Sequence, residues 1–256
     1  MARTQPYRLA RLGYILGGDG APLPPPTEGS IVTETQIAAA KIVREGRKGN
    51  ESKLGRGVWH FDQIAGPPGE VENGTCPGAS EWCAGEEAAC YAMHGNFVKY
   101  PTVRSRLNEN TLAAKAGKLP SLDVIPRNGL LRLHVSGDFD RVPYVAGWKR
   151  AIAERPDISV WYYSRSHAAR PMLAAAVKDL STLNNVQGFA SVDATMPIIP
   201  DWDRIAYGPD DDRFNPETTL DCPNLVSKGQ ITCKQCGFCF RSPVNDIVNV
   251  RWPYQH

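Results

Sequence analysis

The hydrophobic pattern is clearest from Leu130 onward. The run LLRLHV is followed by Val145, Trp148 and Ile152 at helical spacing, then ISVWYY, then Leu173, Val177 and Leu180, then VQGFAS. Short apolar runs alternating with three- and four-residue periodicity predict strand, helix, strand, helix, strand. Strands joined through helices run parallel, in an open sheet or a closed barrel, which makes the fold class α/β. Upstream, Gly57 to Ala65 carries Val58, Trp59, Phe61 and Ile64 and predicts one more strand, ending at Gly66-Pro67-Pro68-Gly69. Tyr91 to Lys118 has helical character, with Pro101 suited to a first turn and Val103, Leu107, Asn110 and Ala114 on one side.

The flanks are less periodic. Residues 1–30 hold Gly17-Gly18-Asp19-Gly20 and Pro24-Pro25-Pro26 and read as an irregular arm. Thr33 with Gln36 forms a capping box for a helix over Ile37 to Arg44, which Gly46 and Gly49 stop. After Asp193 the prolines and the run Asp210-Asp211-Asp212 predict loop, before a last strand over Ile247-Val248-Asn249-Val250. The acidic run is a candidate cation site, and more commonly a solvated turn. The chain divides into an arm and helix (1–56), a βα core (57–196) and a loop-rich extension (197–256), with no internal repeat.

Three polar triplets leave the three clearest strands: Ser136-Gly137-Asp138, Ser164-Arg165-Ser166 and Ser191-Val192-Asp193. In parallel α/β folds the carboxyl ends of the strands carry the site, so these triplets are expected to share one rim. Capping of the next helices is the competing role for each. Arg165, His167 and Arg170 are placed to bind a carboxylate or phosphate there, unless Arg165 pairs with Asp138 or Asp193. His134 lies within a strand and reads as a packed histidine.

Composition narrows the classes. The 256 residues carry 29 basic and 27 acidic side chains, a net charge of +2 that gives no footprint for nucleic acid or an anionic membrane surface. No apolar run approaches the ~20 residues that cross a bilayer, and the amino terminus lacks a signal-peptide core, so a cytoplasmic location is expected. All seven cysteines fall in two groups, Cys76, Cys83 and Cys90, then Cys222, Cys233, Cys236 and Cys239. An odd count in two clusters fits thiolate ligation of a metal better than disulfides. Cys233-Lys-Gln-Cys236-Gly-Phe-Cys239 has the C-x-x-C-x-x-C form that wraps corners of an iron-sulfur cluster, and Cys222 supplies a fourth thiolate. Zinc is the rival at that site, since four cysteines also make a tetrahedral structural centre. The first group offers three thiolates, so a 4Fe-4S cluster there leaves one iron open.

Thr75-Cys76-Pro77-Gly78-Ala79, then Cys83, then Cys90-Tyr91-Ala92, resembles the bacteriophage gene product eighty-eight family. Ser136-Gly137-Asp138-Phe139, Tyr162 to Ser166, Ser191-Val192-Asp193 and the terminal Cys-x-x-Cys extend the likeness over about residues 50 to 240. It implies a phage origin and, for a phage protein, the host cytoplasm. The cysteine trio ending in Cys-Tyr-Ala is also more distantly similar to radical-SAM proteins. That likeness implies a partial (βα) barrel with Cys76, Cys83 and Cys90 on a 4Fe-4S cluster whose open iron takes S-adenosylmethionine. It further implies that Ser136, Gly137 and Asp138 bind that cofactor, Asp138 at its amino group. The spacing of six and six residues between cysteines is wider than usual there, and the open iron has His94 as an alternative ligand, against its more ordinary role as a loop histidine.

The expectation is therefore an iron-sulfur protein in which Asp138, Arg165 and Asp193 position ligands for a radical reaction. The competing expectations are a non-catalytic redox, electron-transfer or host-interaction module, and a zinc-bound structural protein. The partner, a small molecule or a host protein, is not specified by the sequence.

Overall fold

The computed structural model describes residues 44–45, 53–85, 90–198, 202–243 and 245–253. The arm over residues 1–30 and the capping box at Thr33 and Gln36 lie outside the described residues. Arg44, the expected end of that helix, is in a short strand, β1 (Arg44–Glu45). The rhythm read from Leu130 onward is present as β3 (Leu130–Leu133), α4 (Val142–Ala153), β4 (Ser159–Ser164), α5 (Pro171–Leu180) and β5 (Val186–Val192). Before it come β2 (Val58–Phe61), a one-turn α1 (Glu81–Ala84), α2 (Asn96–Lys99) and α3 (Pro101–Lys115).

The helix expected over Tyr91 to Lys118 is broken into a 3-10 turn at Tyr91–Met93, then α2, then α3. Gly95 takes φ 57°, and Tyr100, which precedes Pro101, sits at φ −102° and ψ 113°. A residue before proline is forced out of the helical region, so α3 starts afresh at Pro101. Leu107, Asn110 and Ala114 are buried as the helical spacing requires, and Val103 is half-buried.

Among the described residues eight strands form one sheet in the order β1-β2-β3-β4-β5-β6-β8-β7, antiparallel at β1–β2 and parallel at every other pairing. Two of its strands correct the expectation of loop after Asp193: β6 (Ile205–Tyr207) and β7 (Thr219–Asp221). Each is three residues long, too short for an alternation to stand out between prolines. The last strand, β8 (Asn249–Arg251), lies where an apolar run predicted it.

Alternation gives the sheet two different faces. Leu131, Leu133, Val160, Tyr162, Val186 and Ala190 point to a core shared with Val145, Trp148 and Ile152 of α4 and Leu173, Val177 and Leu180 of α5. Phe61 meets Trp148 edge to face at 5.2 Å, and the buried Tyr162 hydroxyl donates to the Val177 carbonyl at 2.6 Å. The opposite face presents Val58, Trp161, Tyr163 and Phe189, covered by Phe238 and Phe240 and by Cys222, Cys233 and Cys239. The cysteine-rich extension is thus the second cover of the sheet. No helix of the described residues is long and apolar enough to cross a membrane.

Candidate functional site

The first cysteine loop follows β2 and folds over the carboxyl ends of β3 and β4. Its seating depends on a close approach: a Cβ built on Gly78 would lie 1.9 Å from the Arg165 carbonyl oxygen. Thr75 fixes the loop from below, donating its hydroxyl to the Ile64 carbonyl at 2.8 Å and accepting the Asp138 amide at 3.1 Å. The Gly66 amide points at the Cys76 sulfur, 3.3 Å away. Cys83 sits in α1, whose N-cap Ser80 accepts the Cys83 amide at 3.3 Å.

These elements close around a cavity of about 130 Å³. Cys76, Cys83 and Cys90 all line it, together with Ser136, Gly137, Asp138, Arg165 and Ser191 from the strand ends. The Cys83 and Cys90 thiols share a hydrogen bond, which moves the Cys83 thiol down to about 7 and pushes that of Cys90 well above its ordinary value. Burial pushes the Cys76 thiol up, reinforced by the Asp138 charge.

Asp138 is buried and receives four donors: the Phe139 amide and Ser164 hydroxyl, each at 2.7 Å, on one oxygen, and the amides of Arg165 at 2.7 Å and Ser166 at 3.2 Å on the other. Burial pushes its carboxyl up to about 6 against the pull of those donors. Asp193 binds Arg165 in an ion pair and accepts the Ser80 hydroxyl at 2.5 Å. Burial opposes its ionisation, yet Arg165 and Ser80 outweigh that and hold the carboxyl below the usual range. The strand-end triplets therefore do not cap the helices that follow: α4 and α5 have Arg141 and Arg170 at their N-caps, without side-chain capping bonds. They lace the first cysteine loop to β3, β4 and β5.

The remaining candidates separate. Arg165 has its charge met by Asp193, and its guanidinium lies 5.4 Å from the Trp82 ring centroid. His167 is buried with its Nδ1 at 2.8 Å from the Ser164 carbonyl, whereas Arg170 is exposed. The two do not join Arg165 in an anion site. His94 is exposed and away from the cavity wall. His134 lies just past the end of β3, at φ 59°, and not within the strand as expected. It is packed as expected, with Nε2 at 2.8 Å from the Tyr144 hydroxyl, and burial holds its imidazole down at about 3, in the neutral form. Asp211 is not a solvated turn residue: it is buried and paired with Arg213 at 2.6 Å, while Asp210 and Asp212 are exposed.

The second group is built on a one-turn helix, α7 (Cys233–Cys236). Thr232 and Gln235 form a capping box at its start, and Gly237 ends it at φ 76°. The turn places Cys233 and Cys236 three residues apart on one side, and Cys239 follows in a 3-10 turn. Cys222 is the N-cap of α6 (Pro223–Val226), and its charge is felt at both Cys233 and Cys239. Burial pushes the Cys233 and Cys239 thiols up. Among the described residues no group of three or more His, Cys, Asp and Glu side chains is arranged to hold a metal ion.

Two cations on the cavity wall went unnoticed in the sequence, Lys53 and Arg132. Arg132 had a signal, a charge in the middle of the apolar run LLRLHV. Lys53 had none, since its place follows from backbone pairing: the Cys233 and Lys234 amides donate to the carbonyls of Lys53 at 2.7 Å and Leu54 at 3.0 Å. Burial and the neighbouring Arg132 lower the Lys53 amine to about 7.

Fold and site together define the class: a parallel α/β protein with a three-cysteine cavity at the carboxyl ends of its strands. Residues 33–242 match the family described as Gene product 88, and the chain belongs to that bacteriophage family. Its relatives include the Gene 88 protein of Mycobacterium phage L5, 29% identical over 121 residues, which are 43% of this chain and 50% of the relative. The chain thus spans about half the length of that curated relative. No solved structure matches.

Proposed function

We propose that the chain is an iron-sulfur protein, with Cys76, Cys83 and Cys90 holding an open 4Fe-4S cluster and Cys222, Cys233, Cys236 and Cys239 a closed one. The observation that carries this reading is the convergence of three thiols from one loop on a single cavity above a parallel sheet. The donor set suits the group: three soft sulfur side chains on one cavity wall, one of them receiving a backbone amide. Bound there, the cluster supplies one-electron chemistry and an open coordination position. In this reading the parallel strands are a partial, radical-SAM-like (βα) barrel, and S-adenosylmethionine is the co-substrate assigned to that position. Ser136, Gly137 and Asp138 stand beside Cys76 on the wall for it, and a molecule of that size reaches beyond the cavity of about 130 Å³. The chain's own contribution is positional: Asp138 locks β3 to β4, and the Arg165–Asp193 pair with Ser80 anchors the loop that bears Cys83.

Zinc at Cys222, Cys233, Cys236 and Cys239 is the second reading, favoured by the capped C-x-x-C turn of α7. Anaerobic purification with iron, sulfide and zinc analysis separates the two. Absorbance near ~400 nm and about four iron per cluster are expected, with Cys83→Ala removing one cluster and Cys236→Ala the other. A colourless protein holding zinc alone would sink the iron-sulfur reading. Without 5'-deoxyadenosine after incubation with dithionite and S-adenosylmethionine, the radical reading fails while the cluster reading stands.

A further inference from the structure

Arg132 lies on β3 between His60 of β2 and Trp161 of β4, on the sheet face turned toward the cysteines. The residue is 4% exposed, and it lines the same cavity as Cys76, Cys83 and Cys90. The guanidinium lies over the Tyr163 ring at 5.0 Å from the centroid, and its Nε is buried without a hydrogen-bond partner. Among the described residues no carboxylate pairs with it. Asp62, which feels its charge, accepts the Val135 and Ser136 amides at 2.7 and 3.3 Å and lies 2.5 Å from the His60 ring. Asp138, the one acid among the described residues of the cavity wall, is saturated by its four donors. Arg165 is neutralised by Asp193, and Lys53 lines the same wall.

A buried guanidinium facing a cavity without a counter-ion is a poor structural element and a good binding one, because desolvated charge is stabilised only by a partner that replaces water. We infer that Arg132 anchors an oxyanion site in this cavity, which takes the carboxylate or phosphate group of a small molecule lying beside Cys76, Cys83 and Cys90. The unpartnered Nε belongs to the edge of the planar fork that grips two oxygens at once, a geometry shared by carboxylate and phosphate. The cavity volume of about 130 Å³, against the ~300 Å³ and more of drug-sized sites, suits a small anion or the anionic end of a larger ligand. The site that the sequence assigned to Arg165, His167 and Arg170 is thus moved one strand over and onto the other cation.

The inference stands on the cavity and not on the iron-sulfur reading, so the full chain is titrated both metal-free and after anaerobic reconstitution with iron and sulfide. Inorganic phosphate and propionate are the probes, followed by calorimetry and by the arginine Nε–H resonances of isotope-labelled protein, with the Arg132 signal identified by its absence in Arg132→Lys. Saturable binding of either probe with a shift of that resonance is expected, and whichever probe saturates assigns the anion as tetrahedral or planar. Arg132→Met should weaken binding ~10- to 100-fold, the range for losing a charged hydrogen bond, and Arg132→Lys should fall between. Absence of saturable binding by folded wild-type chain overturns the proposal, and the wild-type resonance decides it even if both variants misfold. Equal affinity in Arg132→Met also overturns it. So does loss of metal with anion affinity unchanged, which would make Arg132 a counter-ion of Cys233. Anion binding by a chain that takes up no iron on reconstitution would leave this inference standing and the cluster reading removed.

Discussion

Gly78 decides whether the first cysteine loop can reach the strand ends, since it faces the Arg165 backbone where no Cβ fits. Gly78→Ala should destabilise the protein by about 1–3 kcal/mol through overpacking against a carbonyl that cannot turn aside. Urea denaturation measures that loss, and under the proposed iron-sulfur reading metal content should fall in parallel because Cys76 is displaced with the loop. Asp138, Arg165 and Asp193 were legible as a set because each follows an apolar strand, and parallel topology brings such ends to one rim. Their partners were not legible. Ser80, which joins Asp193 to the cysteine loop, is separated from it by 113 positions and carries no local signal.

At the scale of elements, α7 is a helical turn within the segment read as loop, and its signals are local. Thr232 to Gly237 spells its own start, turn and stop, so the geometry of Cys233 and Cys236 is set within six residues. Thr232→Ala should cost about 1 kcal/mol by removing the cap. Its local effect, faster amide exchange at Gln235 and Cys236, is readable by hydrogen exchange. Strands β3, β4 and β5 were equally plain, because each is a bounded apolar run. The short strands β6 and β7 were not, because three residues define no period and their pairing with β5 and β8 supplies the reason for being extended. Pro101, read as a first-turn residue, does begin α3, while the break before it at Tyr100 divides the longer helical stretch expected from Tyr91.

For the whole molecule, stability should carry an acid limb written partly by Asp62, which ties the end of β2 to the turn after β3. Burial opposes its ionisation, but the His60 charge, the His60 hydrogen bond and the Val135 and Ser136 amides together hold its carboxyl below the usual range. A depressed folded value means that the unfolded chain binds the proton first. The stabilisation is complete above the unfolded value of ~3.9 and is lost as pH falls through the folded one. Asp62→Asn should lower stability near neutral pH by roughly 1.5–3 kcal/mol and flatten that limb, as thermal melts across acidic pH will show. The sequence by itself determined the alternating βα order, the rim of polar strand ends and the division of the cysteines into three and four, because periodicity and spacing are local properties. Only the tertiary structure decided that the extension covers the second sheet face, that Asp211 is buried, and that Arg132 looks into the cysteine cavity. Those depend on which face of each strand meets which distant segment, and a strand's alternation defines two faces without saying what will cover them.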